Sequence, residues 1–245
     1  MHVELRGAKI PKFVAQFSSM PKYKLRRFAE NKTFENVVEP ALEEVLNADY
    51  RLKGLWKSEF FKNSNPLILE LGCGRGEYTI ALADRDKNTN FIGIDIKGAR
   101  IWRGAKTAIE KDYKNAGFLR TRIEFIESFF GKDEVCEIWI TFPDPQLKSK
   151  RTKKRLTSPA FLSKYQKFIT PNGIIHLKTD SKELYDYTME VLMEIKATIH
   201  FNSEDIYSLP DLDSILEVKT YYENQFLLED KKITYIKFSL PENPF

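Results

Sequence analysis

Two cysteines, Cys73 and Cys136, are too few for a disulfide framework, and that scarcity fits a reducing cytosol. No run of about 18 apolar residues occurs, which speaks against a membrane-spanning helix. The first residues lack the apolar core of a secretory signal, since Arg6, Lys9, Lys12, Lys22 and Lys24 interrupt it. Histidine is also scarce. His2, His176 and His200 are scattered without metal-ligand spacing, so no metal is expected. Repeats and low-complexity tracts are absent. What remains is a cytoplasmic chain of 245 residues, 42% hydrophobic, long and apolar enough to bury one full core.

Acidic residues are missing from one stretch in particular. Residues 148–155 hold six Lys/Arg and no acid, and residues 1–32 hold eight Lys/Arg against Glu4 and Glu30. The net charge is only +4, so these two excesses of six leave the remainder negative by eight. Positive charge focused in two places on an acidic protein suits a localised polyanion contact, although a solvated basic face has the same composition.

Residues 1–65 are basic and aromatic, with helical spacing through Phe34, Val37, Val38, Ala41, Leu42, Val45 and Leu46. Beyond Pro66 short apolar runs alternate with amphipathic stretches. The predicted strands are Leu67–Leu71, Phe91–Ile96, Arg122–Ile126, Glu137–Phe142, Gly173–Thr179, Thr198–Phe201 and Ile233–Ser239. Helices are expected near Glu77–Asp84, Ala99–Asn115, Pro159–Phe168 and Lys182–Ile195. This order predicts an α/β domain over 66–245: a doubly wound, mostly parallel, seven-stranded sheet with an antiparallel strand near one edge. Ligands should then sit beyond the carboxyl ends of the strands.

The first of these strands runs into Glu70-Leu-Gly72-Cys-Gly74-Arg-Gly76. Glycines at alternate positions allow a tight turn and a close approach of backbone to ligand. A dinucleotide fingerprint spaces its glycines differently, with the third one residue later. Asp95 ends the next strand nineteen residues beyond Gly76, where a carboxylate can accept both ribose hydroxyls. Asp95 thus indicates a nucleoside. Glu70 favours a cationic one such as S-adenosylmethionine, because its charge would repel a pyrophosphate.

The fourth strand breaks into Pro143-Asp144-Pro145, followed by Lys148-Ser-Lys150-Arg151-Thr152-Lys153-Lys154-Arg155. Prolines on both sides fix the backbone about Asp144. An acid on a stiff turn beside a basic arm can hold a base while gripping phosphates, though Pro-Asp-Pro also serves as a plain turn. Thr179-Asp180 ends the next strand on the same side, with a helix cap as its other reading. Thr220 and Glu223 have capping-box spacing.

From about Pro66 to Phe226 these motifs resemble the bacterial tRNA (guanine-N7-)-methyltransferase family, a group with the Rossmann-like class I fold. The resemblance implies cofactor contacts at Glu70, Gly72, Gly74, Gly76, Asp95, Arg122 and Asp144, with Asp144 also catalytic. It implies substrate contacts at Lys148, Asp180, Thr220, Tyr221, Tyr222 and Glu223, and tRNA contacts along residues 150–155: Lys150, Arg151, Thr152, Lys153, Lys154 and Arg155. The chain departs from the family pattern at three places. Gln146 stands where a Trp is usual, Arg151 where a His is usual, and Arg122 where an Asp is usual. Rival functions are a methyltransferase with another acceptor, a nicotinamide oxidoreductase disfavoured by the glycine spacing, and a non-catalytic RNA-binding module.

Overall fold

The computed structural model describes residues 22–46 and 48–242. The basic arm expected over residues 1–32 therefore lies outside the described residues as far as residue 21. Eight strands form one sheet: β1 (Val37–Val38), β2 (Leu67–Leu71), β3 (Asn90–Asp95), β4 (Ala116–Arg120), β5 (Val135–Thr141), β6 (Ile169–Thr179), β7 (Thr198–Ser203) and β8 (Thr234–Ser239). Their order is β1-β4-β3-β2-β5-β6-β8-β7. Strands β1 to β6 pair in parallel, and β8 lies antiparallel between β6 and β7. Chain order reverses between β2 and β5, so a crevice opens beyond their carboxyl ends.

Seven helices accompany the sheet among the described residues: α1 (Lys22–Asn31), α2 (Glu43–Leu46), α3 (Glu77–Arg85), α4 (Gly98–Glu110), α5 (Pro159–Gln166), α6 (Lys182–Glu194) and α7 (Tyr221–Leu228). The central strands bury both faces, as in β3, where the consecutive residues Asn90 to Ile94 are all buried. The two clusters either side of the sheet are the core, one built on Trp56, Phe129 and Phe168, the other on Tyr78, Phe118 and Trp139.

The structure corrects three expectations. The sheet has eight strands instead of seven, because Val37–Val38 pairs with Phe118–Leu119 at the edge. The helical spacing of residues 34–46 yields only the single turn of α2; two adjacent β-branched residues followed by Pro40 pair with a neighbouring strand instead. The segment Arg122–Ile126 is not a strand. It enters a 3₁₀ turn, Ile123–Ser128, and the strand lies earlier at Ala116–Arg120. Gly117 disguised that strand as a break. A Cβ there would meet the Phe60 ring at 2.6 Å, so glycine is required by the aromatic packed over it.

Two anchors bring residues 22–61 onto this frame. Trp56 is fully buried and donates its indole N–H to the Phe129 carbonyl, at 2.7 Å. Helix α1 lies on α4, with Asn31 donating to the Gly98 carbonyl at 2.9 Å and Arg27 stacked 4.5 Å over Trp102.

Candidate active site

The turn after β2 is built on three glycines with left-handed φ, +78° at Gly72, +55° at Gly74 and +72° at Gly76. Their reasons differ. At Gly76 a Cβ would sit 2.5 Å from the Phe118 ring, so packing alone demands glycine there. At Gly72 nothing lies within 4 Å of a Cβ position, so the turn is open toward the crevice. The Gly72 and Cys73 amides donate to the Ile94 carbonyl, tying the turn to β3.

Two carboxylates brace it. Asp95 accepts from the Gly74 amide at 3.0 Å with one oxygen and from the Lys97 amide at 2.7 Å with the other. Its remaining lone pairs stand at the strand tip. Glu70 is turned inward and buried: it accepts from the Thr79 amide and hydroxyl and, at 2.7 Å, from the Thr141 hydroxyl. Burial pushes its carboxyl up to about 7, against the lowering effect of those hydrogen bonds. Glu70 thereby fastens the start of α3 to the end of β5.

On the facing side, Phe142 and Gln146 both have left-handed φ, +47° and +48°, and enclose Pro143-Asp144-Pro145. Non-glycine residues in that region store strain, which the two proline rings help to hold. Asp144 is exposed, and one oxygen accepts from the Gln146 amide at 3.0 Å. A 3₁₀ turn, Ser149–Lys154, then carries Lys150, Lys153 and Lys154 on the surface, with Thr152 and Arg151 alongside.

A cavity of about 520 Å³ joins the two sides, and Gly72, Asp95, Arg122, Asp144, Arg151 and Lys154 all line it. Four of the sequence-predicted cofactor residues and two of the loop residues thus line one crevice, while Gly76 lines a neighbouring cavity. Glu124, the acid two residues beyond Arg122, lines it too, as do Arg100, Thr121 and Phe142, to which no motif pointed. Arg100 sits in the first turn of the helix after Asp95, and that position was the available signal. Arg122 forms a 3.0 Å ion pair with Glu124 and lies against Phe125, so its side chain is turned along its own segment.

Other predicted residues lie around this crevice, not on its wall. Asp180 pairs with Lys231 at 3.3 Å, and Lys148 is exposed at the start of the basic turn. Thr220 and Glu223 form a complete capping box on α7. Glu223 is fully buried, 2.8 Å from Lys178 Nζ and accepting from the Tyr207 hydroxyl. Lys178, itself fully buried, also donates to the Leu216 and Val218 carbonyls. Tyr221 and Tyr222 are exposed beneath Arg75 and Arg100, at 4.3 and 5.5 Å, and the Tyr221 amide donates to Glu77. Arg155 turns inward, donating to the Pro145 carbonyl and to Glu183, so its guanidinium holds the loop to α6.

Residues 64–236 match the sequence family described as "Putative methyltransferase". A tRNA (guanine-N(7)-)-methyltransferase of Christiangramia forsetii is 52% identical over 220 residues, covering 89% of this chain and 98% of the relative. One from Bacteroides fragilis is 49% identical, covering 91% and 88%, and one from Clostridium botulinum is 35% identical, covering 77% and 88%. The chain belongs to the tRNA (guanine-N(7)-)-methyltransferase family. Among solved structures, an antibiotic-related methyltransferase superposes with a TM-score of 0.56 at 17% identity, covering 74% of this chain and 90% of that one. The 16S rRNA methyltransferase KamB gives 0.55 at 14%, covering 72% and 89%. These likenesses show the fold, which is that of class I methyltransferases.

The family's cofactor is S-adenosylmethionine, and the crevice fits it. A cationic nucleoside needs an acceptor pair for its ribose, a turn without side chains and a surrounding negative field. Asp95 and the open face of Gly72 provide the first two, and the Asp95 and Asp144 carboxylates on the crevice wall provide the field, while buried Glu70 braces the turn from behind. Among the described residues no group of His, Cys, Asp or Glu is arranged to hold a metal ion, and no helix is long and apolar enough to cross a membrane. Cys73, buried in the turn, has its thiol pushed up by burial and is a packing residue.

Proposed function

We propose that this protein transfers a methyl group to N7 of a guanine in the variable region of cytoplasmic tRNA. The observation that carries the reading is the placement of Asp144: an exposed carboxylate on a strained, proline-locked turn, at the crevice mouth and directly before an exposed basic turn. S-adenosylmethionine supplies the electrophilic methyl group. Guanine N7 carries an in-plane lone pair, so no residue has to remove a proton before attack. Positioning and electrostatics are the chemistry left to the protein.

Asp144 and Asp180 accept from the guanine N1–H and amino group, which leaves N7 on the opposite edge facing the methyl. Tyr221 and Tyr222, exposed at the start of α7, offer flat surfaces to a base that has left its stack. Thr220 and Glu223 act one step back, by fixing that helix start. Lys148, Lys150, Arg151, Thr152, Lys153 and Lys154 contact phosphates, which position the RNA without specifying it. Arg155 supports them from inside.

The test is transfer of a labelled methyl group to unmodified tRNA. The expected product is a cationic guanine that borohydride and aniline cleave at one place in the variable region. Asp144→Asn should keep most tRNA affinity and lose turnover by about 10²-fold or more, the scale of lost positioning. Nucleoside analysis showing only methylated adenine, cytosine or ribose would overturn the acceptor while leaving the methyltransferase intact.

A further inference from the structure

A second cleft of about 580 Å³ lies between the glycine turn, α4 and α1, and four arginines line it: Arg27, Arg75, Arg100 and Arg103. Glu77 is the only carboxylate on its wall, and one of its oxygens already accepts from the Tyr221 amide. Among the described residues none of the four arginines has a carboxylate within 4.0 Å. Gly76 and Tyr222 of the family motifs lie on its edge, but none of its four arginines was assigned a role by those motifs, and the charge count of the sequence does not single the cleft out.

Three of the four guanidinium groups are held by aromatic faces, not by acids. Arg27 lies 4.5 Å over Trp102, Arg75 lies 4.3 Å over Tyr221 and Arg100 lies 5.5 Å over Tyr222, while Arg103 is exposed on α4. Stacking orients a guanidinium without consuming its N–H groups, and although Arg27 Nη1 also donates to the Ala99 carbonyl at 3.4 Å, donors remain on each for phosphate oxygens. Gly76 and Gly104 form part of the cleft wall, and Cβ atoms there would strike Phe118 at 2.5 and 2.7 Å. Arg100 also lines the cofactor crevice, so the two cavities share a wall.

We propose that this arginine cleft binds backbone phosphates of the RNA substrate on the side of the target base opposite the 149–154 turn. The proposal rests on the RNA-methylating reading above. A nucleotide strand crossing the crevice would have phosphates on both flanks of the flipped base. The basic turn holds one flank and the arginine cleft the other, with Tyr222 between the cleft and the base. Two grips on either side resist the strand's recoil when one base is drawn from its stack. An RNA strand is favoured over a free anion because the four arginines are spread over three elements, α1, the glycine turn and α4, instead of converging from one of them.

The experiment uses the full chain and unmodified tRNA, after wild-type methyl transfer has been demonstrated. Arg103→Gln is chosen because that side chain is exposed and outside the cofactor crevice. Binding measured across salt concentrations should lose about 0.7–0.9 from its log–log slope for each phosphate contact removed. The KM for tRNA should rise, while kcat at saturating tRNA and cofactor affinity stay at wild-type values. Phosphate-ethylation interference should release a set of phosphates in Arg103→Gln different from the set released in a Lys150→Ala/Lys153→Ala double variant. Arg103→Glu should enlarge each effect, with circular dichroism confirming the fold. An unchanged slope, or release of the same phosphates by both variants, would overturn the proposal. Wild-type failure to methylate tRNA would instead refute the acceptor assignment.

Discussion

The two walls of the crevice are made by opposite means. The cofactor wall, from β2 and β3, is assembled from short-range backbone turns and carboxylates that accept from nearby amides, such as Asp95 on Gly74 and Lys97. The substrate wall, from β5, β6 and α7, joins residues far apart in the chain through one buried ion pair, Lys178 with Glu223. The first wall is written locally and so stands out as a motif. The second depends on long-range ties, of which the Lys178–Glu223 pair is buried on both sides, so it should fail more sharply when that tie is cut.

The largest expected effect tests that difference. Lys178→Met should destabilise the protein by about 3–5 kcal/mol in chemical denaturation, because it strands the buried Glu223 charge and two carbonyls. Burial lowers the Lys178 ammonium pKa and Glu223 opposes that shift, so the pair is held by its geometry more than by ample solvation. Adding Glu223→Leu should recover part of the loss, since no uncompensated charge then remains. A loss of less than about 1 kcal/mol in Lys178→Met would remove the tie as the wall's support.

This contrast also explains what could be read from the chain alone. Strand β2 appears at Leu67–Leu71 as predicted, because a buried parallel strand is a near-continuous apolar run, interrupted here only by Glu70. Gly72 of the glycine turn, Asp95 and Asp144 line one cavity beyond the strand ends, being fixed by those ends and by turn chemistry. Strand β4 was hidden because its Gly117 makes room for Phe60, fifty-seven positions away. The inward turn of Arg155 was hidden too: a run of like charge carries no mark of the one member that finds Glu183 and Pro145. For Thr220 and Glu223 the capping-box spacing was the more faithful signal, and the structure forms that box.

Glu70 gives the next effect on the cofactor wall. Its carboxyl is raised by burial from an ordinary 4.5 to about 7, so the folded state holds the proton more tightly than the unfolded chain. The stability it contributes is full below about pH 4.5, falls as pH rises through the interval, and is gone above about pH 7. Glu70→Gln is neutral throughout. Its stability relative to wild type should therefore rise by about 3 kcal/mol from about pH 4 to about pH 8. Saturating S-adenosylmethionine, a cation, should shrink that difference by favouring the ionised carboxylate. A pH-independent difference would place the titration elsewhere.

The smallest effects separate two residues that share the crevice. Asp95→Ala should weaken S-adenosylmethionine binding by about 1.5–3 kcal/mol in calorimetry, the worth of hydrogen bonds to a charged acceptor. It stands at the strand tip and also holds the Gly74 amide, so both the ribose grip and the turn suffer. By the sequence resemblance Arg122 stands where an acid is expected, yet its guanidinium is exposed and directed at Glu124 and Phe125. Solvent screens such a pair, so its removal should leave the thermal midpoint within error. Arg122→Ala should likewise leave cofactor affinity close to wild type, because what segment 121–123 offers the crevice is then its backbone and the neighbouring Glu124. If Arg122→Ala weakened binding as much as Asp95→Ala, the side chain would be a cofactor contact in its own right. In that case the departure from the family's acid would be a functional replacement and not a loss made good by the backbone.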